Sequence, residues 1–256
     1  HYSQDLRRAY AMQDYAIAYD VVDCDLTEGE RVKVGNYLWK HAHPFMEMGL
    51  YHKNNHRVVD AGGLGLVGLA IKNASMISLA TDTSLTYFYD QNRADGGSFE
   101  GYSYLAYALI EMIQFAVGLK NIGGFNFFED TQMLRTFDFL AETLSPLGLP
   151  PLFEDCTVST SIQESLLIAA AQLLESRPPR AKKYQHAWEF RQENQNLPGA
   201  SKYGYIKGDS ASFRKITCYD VEQEIQGDPI TNRKEIYEES SMAFLRSEGY
   251  SREDLY

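Results

Sequence analysis

Between Ala61 and Leu79 the chain sets Gly62, Gly63, Gly65 and Gly68 among Leu64, Leu66, Val67 and Leu69. The apolar pattern predicts a helix, yet each glycine inside a helix costs about 1 kcal/mol relative to alanine. Something must offset that cost. Close approach of neighbouring helices is the usual reason, since a residue without Cβ lets two backbones meet. The segment is therefore expected inside a packed helical array.

The flanking sequence agrees. From Gln4 to Val22, Leu6, Ala9, Tyr10, Gln13, Ile17 and Val21 recur at spacings of three and four, the signature of one helical face. Thr27 reads as an N-cap, with Glu28 and Glu30 in the first turn where the helix dipole favours them. The next helix runs through Val34, Leu38, His41, Ala42 and Phe45, with Pro44 expected to bend it. After a polar break at His52–His56 come the glycine-rich helix Ala61–Leu79 and a short helix Thr83–Gln91. Tyr102–Leu119 is apolar nearly all round and predicts a buried helix. Thr131–Leu144 and Ser159–Leu174 are two more, divided by the breaker Pro146–Pro151. Asn73-Ala74-Ser75 is a formal glycosylation sequon inside a helical run and is set aside as chance.

The pattern changes after Pro178-Pro179. A polar helix, Ala181–Glu193, leads into Asn196-Leu197-Pro198-Gly199, and Ser212–Tyr219 and Ser241–Ser247 then read as strands. The expected fold is mostly α. Residues 1–197 form antiparallel helix hairpins that fit an incomplete (α/α) toroid, although the same periodicity suits an irregular bundle. Residues 198–256 form a linker and the beginning of a β-region. The helix count is short for a full toroid, so a fragment truncated on both sides is expected.

Charge narrows the partners. A net charge of −11 argues against nucleic acid and anionic membrane surfaces, which demand basic patches. No apolar run reads as a membrane insertion. Cys24, Cys156 and Cys218 are far apart without CxxC spacing, so neither a disulfide framework nor a zinc site is expected. His41 and His43, two apart, face different directions on a helix. His52 and His56, four apart, fall where Asn54-Asn55 suggests a loop. No metal and no cofactor is expected. The 18 tyrosines against 2 tryptophans suit half-buried helix positions and equally suit wet sugar clefts.

Two segments gather polar groups at helix N-termini, where unpaired backbone N–H groups favour an anion. The first is Lys53-Asn54-Asn55-His56-Arg57. The second is Asp95-Gly96-Gly97-Ser98-Phe99-Glu100-Gly101-Tyr102-Ser103-Tyr104. Each has a bland reading: an Asn-Asn pair before a helix is usually a cap, Asp-Gly-Gly is normally a turn, and a first-turn Tyr is more often a core phenol.

Taken together, Leu38-Trp39-Lys40-His41-Ala42, Asn54-Asn55-His56, and Asp95-Gly96-Gly97-Ser98-Phe99-Glu100-Gly101 with Tyr104 and Tyr107 resemble the heparinase II/III-like polysaccharide lyases. The resemblance covers about Leu38 to Leu119, and more loosely Ser241–Ser247. It implies an (α/α) toroid followed by an antiparallel β-sandwich, a periplasmic or secreted location, and β-elimination on an acidic, uronate-containing polysaccharide. That reaction removes the C5 proton of a uronic acid and expels the oxygen at C4. Donors to the uronate carboxylate stabilise the enolate-like charge, and the resemblance assigns this to Asn55 with His56. An unperturbed phenol, with pKa about 10, is protonated at neutral pH, so Tyr104 suits the acid; serving as base would need nearby positive charge such as Arg57. Tyr102 and Tyr107 are alternatives to Tyr104. Asn54, Arg57, Glu100 and His41 are expected to bind substrate, with Lys53 and Arg57 forming a local positive patch.

Two other readings stay open. A toroid glycoside hydrolase needs carboxylates on both sides of the scissile bond; Asp95 and Glu100 share one loop, and Asp60 or Glu129 would have to supply a partner. A non-catalytic sugar-binding helical module is the third.

Overall fold

The computed structural model describes residues 2–48, 54–144, 150–151, 163–195, 234–237, 239 and 242–245. These are mostly helical. Among the described residues eight α-helices run in order: α1 (Tyr2–Val22), α2 (Glu28–Met48), α3 (His56–Ala70), α4 (Ala74–Gln91), α5 (Tyr102–Asn121), α6 (Thr131–Glu142), α7 (Gln163–Leu173) and α8 (Pro178–Gln195). Two short strands follow, β1 (Lys234–Tyr237) and β2 (Met242–Leu245), paired antiparallel with Lys234 opposite Leu245 and Tyr237 opposite Met242. The chain forms two compact units, His1–Gln91 with Ala108–Phe127, and Asn92–Tyr107 with Phe128–Tyr256. The division passes through the single continuous helix α5.

The first unit is organised around α3, whose residues Val58 to Gly68 are all buried. Its glycines explain how. A Cβ at Gly62 would lie 2.7 Å from the Glu111 carbonyl oxygen of α5, and one at Gly63 would lie 2.8 Å from the Ala9 carbonyl oxygen of α1. A Cβ at Gly65 would enter the Phe115 ring at 2.5 Å, and one at Gly68 would meet Met76 of α4 at 2.9 Å. Each glycine therefore admits a neighbour that alanine would push away. The contacts Gly62–Glu111, Gly65–Phe115 and Leu69–Gly118 advance together along both chains, so α3 and α5 run parallel. Between them in sequence, α4 runs back against α3 after a three-residue link, Ile71–Asn73.

That link corrects the expected boundaries. The apolar run Ala61–Leu79 is not one helix: α3 starts at His56 and stops at Ala70. Lys72 takes a left-handed φ of +58°, and Asn73 Oδ1 accepts the Met76 N–H at 3.1 Å, capping α4. The sequon asparagine is thus a cap in a turn, and the expected short helix Thr83–Gln91 is the second half of α4. The Thr27 cap is as expected and forms a full capping box. The Thr27 N–H donates to Glu30 Oε2 at 2.8 Å, and the Glu30 N–H reaches Thr27 Oγ1 at 3.4 Å. The hydrogen bonds from the Thr27 side chain and backbone hold the Glu30 carboxyl below its usual value. Pro44 lies inside α2.

In the second unit, Asp130 caps α6, its Oδ1 accepting the N–H groups of Gln132 at 2.9 Å and Met133 at 3.0 Å. The helix then buries Met133, Leu134, Phe137, Leu140 and their neighbours. Its other edge meets α8 through charge. Asp138 pairs with Arg180 at 3.0 Å and Lys183 at 2.7 Å, Lys183 also pairs with Glu142, and the Tyr184 hydroxyl lies 2.9 Å from Asp138 Oδ1. α8 begins three residues earlier than expected, because Pro178-Pro179 occupy its first turn, where a missing N–H costs nothing. The expected strand Ser241–Ser247 is present as β2; β1 was not anticipated, and Ser212–Tyr219 lies outside the described residues.

Candidate functional site

Asn54, Asn55, His56 and Arg57 belong to the first unit, and Glu100, Tyr102, Tyr104 and Tyr107 to the second. At the start of α3, Asn55 does not behave as the cap its sequence position suggests. Its backbone is already helical (φ −52°, ψ −28°), and its side chain makes no capping hydrogen bond. Only its carbonyl serves the helix, accepting from Val58 N–H at 3.1 Å and Val59 N–H at 3.2 Å. The residue is 4% exposed. His56 and Arg57 are half-buried on the first turn. Arg57 Nε and Asn54 Oδ1 are buried atoms without a hydrogen-bond partner among the described residues. Lys53 and His52 lie outside the described residues, so Arg57 alone represents the expected positive patch.

The first unit holds more buried polarity than its apolar helices announce. Gln13 on α1, Asp60 on α3, Thr83 and Ser84 on α4, and Glu111 and Gln114 on α5 are all buried. α5 is the buried, largely apolar helix expected, and its burial takes in polar groups: Glu111 is 6% exposed and sits where Gly62 brings α3 against the α5 backbone. A carboxylate and an amide inside Leu109-Ile110-Glu111-Met112-Ile113-Gln114-Phe115 were the sequence signal. Burying either group without polar company is costly.

In the second unit, Asp95-Gly96-Gly97 is a turn, as its bland reading has it. Asp95 Oδ1 accepts the Gly97 N–H at 3.2 Å, and the Arg93 N–H donates to Gly97 O at 2.7 Å. Gly96 takes φ +97°, and a Cβ there would lie 2.2 Å from the Arg135 carbonyl oxygen. Glycine is required on both counts. Three further hydrogen bonds fasten this loop to α6: Asn92 Nδ2 to Thr136 Oγ1 at 3.0 Å, Gln132 Nε2 to Arg93 O at 2.8 Å, and Arg135 Nη1 to Ala94 O at 2.8 Å. The loop presents Glu100, half-buried, whose N–H donates to Ser98 Oγ at 3.2 Å.

The three tyrosines now separate. Tyr102 is 2% exposed, and its hydroxyl donates to the Leu140 carbonyl at 2.6 Å. It is a core phenol, with its proton committed to the fold. Tyr104, two residues on, points away from that side and is 39% exposed. Tyr107, one turn from Tyr104 and on the same face, is half-buried.

The remaining candidates are accounted for by packing. The His41 ring lies 4.4 Å from the Tyr37 ring, and His43 lies 4.3 Å from Trp39 and pairs with Glu47 at 3.6 Å. Among the described residues no group of three His, Cys, Asp or Glu side chains gathers as a metal site. Cys24 is an exposed free thiol; Cys156 and Cys218 lie outside the described residues. Glu129, a potential second carboxylate for hydrolysis, is paired with Arg177 at 2.6 Å. α5 is long and apolar enough to cross a membrane, but most of it is buried inside the protein. Compared with known protein families, characterised proteins and solved structures, the chain finds no match.

Proposed function

We propose that the chain is the helical part of a polysaccharide lyase related to the heparinase II/III-like enzymes, cleaving a uronate-containing polysaccharide by β-elimination. The observation that carries this reading is Asn55, a buried amide that opens α3 without capping it. In this proposal its amide donates to the uronate carboxylate as charge develops on it. His56 supplies a second donor from the adjacent position. Tyr104, exposed and on the face opposite the core phenol Tyr102, serves as the acid that protonates the leaving oxygen, with Glu100 orienting a sugar hydroxyl. The fold belongs to the same proposal: we read the parallel α3 and α5, with α4 between them in sequence, as part of an (α/α) toroid, and the β1–β2 pair as the start of a β-sandwich.

The test is product chemistry. The chain is incubated separately with alginate, heparan sulfate, chondroitin and hyaluronan while ultraviolet absorbance of the unsaturated uronate is followed. A rise that is lost in Asn55→Ala and in Tyr104→Phe supports the proposal. New reducing ends without that absorbance mean hydrolysis and overturn it.

A further inference from the structure

The loop between Asn92 and Gly101 is fixed on α6 more firmly than a turn alone requires, and it carries an aromatic ring outward. Phe99 is 56% exposed, and the Arg93 guanidinium carbon lies 4.6 Å from its ring centroid. Arg93 is itself held, Nη1 donating to the Glu239 carbonyl beside the β1–β2 hairpin. Arg135, exposed on α6, is held the same way by one N–H on Ala94 O. Among the described residues the other donors of both guanidinium groups have no acceptor. The nearest carboxylate in sequence, Asp95, spends one oxygen on the Gly97 N–H.

An exposed ring with the Arg93 guanidinium against it, and a second guanidinium, Arg135, anchored on the neighbouring Ala94 carbonyl, matches an acidic sugar. Its apolar ring face covers an aromatic side chain, and its carboxylate or sulfate takes charge-assisted hydrogen bonds from arginine forks. We infer that Phe99, Arg93 and Arg135 form a binding subsite for one acidic sugar residue. Phe99 stacks on the pyranose, and the two arginines hold its anionic substituent. This inference rests on the acidic-polysaccharide reading and adds residues that reading does not use.

The test is calorimetric titration of the full chain with alginate and heparan sulfate hexasaccharides, which separate carboxylate from sulfate recognition, and with neutral cellohexaose. Phe99→Ala and Arg135→Ala are each expected to raise the Kd for the acidic ligand about tenfold, with a shallower salt dependence in Arg135→Ala. Phe99→Leu keeps apolar volume while removing the aromatic face, and Arg93→Lys keeps charge while removing the fork; both are expected to weaken binding with melting temperature unchanged. Wild-type binding of an acidic ligand that survives all four substitutions overturns the subsite and leaves the lyase reading standing. Binding of cellohexaose without either acidic ligand overturns both.

Discussion

Replacing Gly62 by alanine sets two effects against each other, and the structure decides between them. Alanine is favoured over glycine in a helix by about 1 kcal/mol. The new Cβ, however, would stand 2.7 Å from the Glu111 carbonyl oxygen and 3.4 Å from Met112 Cα, both backbone atoms. No rotamer change relieves a backbone contact, so α3 and α5 must separate. Overpacking of this kind costs about 1–3 kcal/mol, so with the propensity gain offset the expected net destabilisation reaches about 2 kcal/mol. Gly35→Ala in α2 is the matched control: the nearest atom to its Cβ is Ile71 Cγ2 at 4.0 Å, an ordinary contact, so the propensity gain survives. At about 2–4 °C per kcal/mol for a chain of this size, Gly62→Ala should melt several degrees below the parent and Gly35→Ala slightly above it. Paired thermal and urea unfolding measures both. Equal stabilisation by the two substitutions would refute the claim that close helix approach is what the α3 glycines provide.

Tyr102→Phe should lower stability by about 1–3 kcal/mol, because it leaves the buried Leu140 carbonyl without its donor, and should spare turnover; Tyr104→Phe should do the reverse, and an identical response of the two would remove the distinction drawn between them. Asp130→Ala should cost about 1 kcal/mol through loss of the α6 cap, read as a lower urea midpoint at constant slope. The α6–α8 cluster predicts alkaline sensitivity. Burial, then the charge and hydrogen bond of Asp138, raise the Tyr184 hydroxyl well above 10.0; for Lys183, burial lowers the value from 10.5 but Asp138 and Glu142 outweigh it and raise it. A raised folded value means stability fully present below pH about 10 and lost as pH rises through it. Unfolding midpoints measured from pH 8 to 11 should fall less steeply in Tyr184→Phe than in the parent, and parallel profiles would contradict the assignment.

The helical class was legible because period and caps act locally: the spacing along α1 and the Thr27–Glu30 pair both mark helices, although α1 buries Ala9, Met12, Gln13 and Ala16 and leaves Val21 of the expected face exposed. The α3–α4 break was not, because it depends on Lys72 adopting a left-handed backbone and on one side-chain cap from Asn73. Neither leaves a breaker residue in an otherwise continuous apolar run. The start of α3 was missed for a related reason: Asn55 has the residue type of a cap and the backbone of a helix. At the candidate site, sequence could single out Tyr102, Tyr104 and Tyr107 together but not rank them, since a shift of two residues along a helix exchanges the buried side for the exposed one. Glu111 and Gln114 were readable as exceptions within an apolar helix, yet their surroundings come from α3, far away in sequence.

The path of the chain through α5 has a consequence for synthesis and for dissection. The first unit is interrupted after Gln91 and resumed at Ala108, so its segments are separated by residues that belong to the second. During translation α3 has no partner for its Gly62 and Gly65 face until Glu111 and Phe115 have emerged. A truncation that stops at Gln91 would leave that glycine groove open. Neither unit can be obtained by one cut in the chain, and a swap or permutation aimed at either must carry both of its segments.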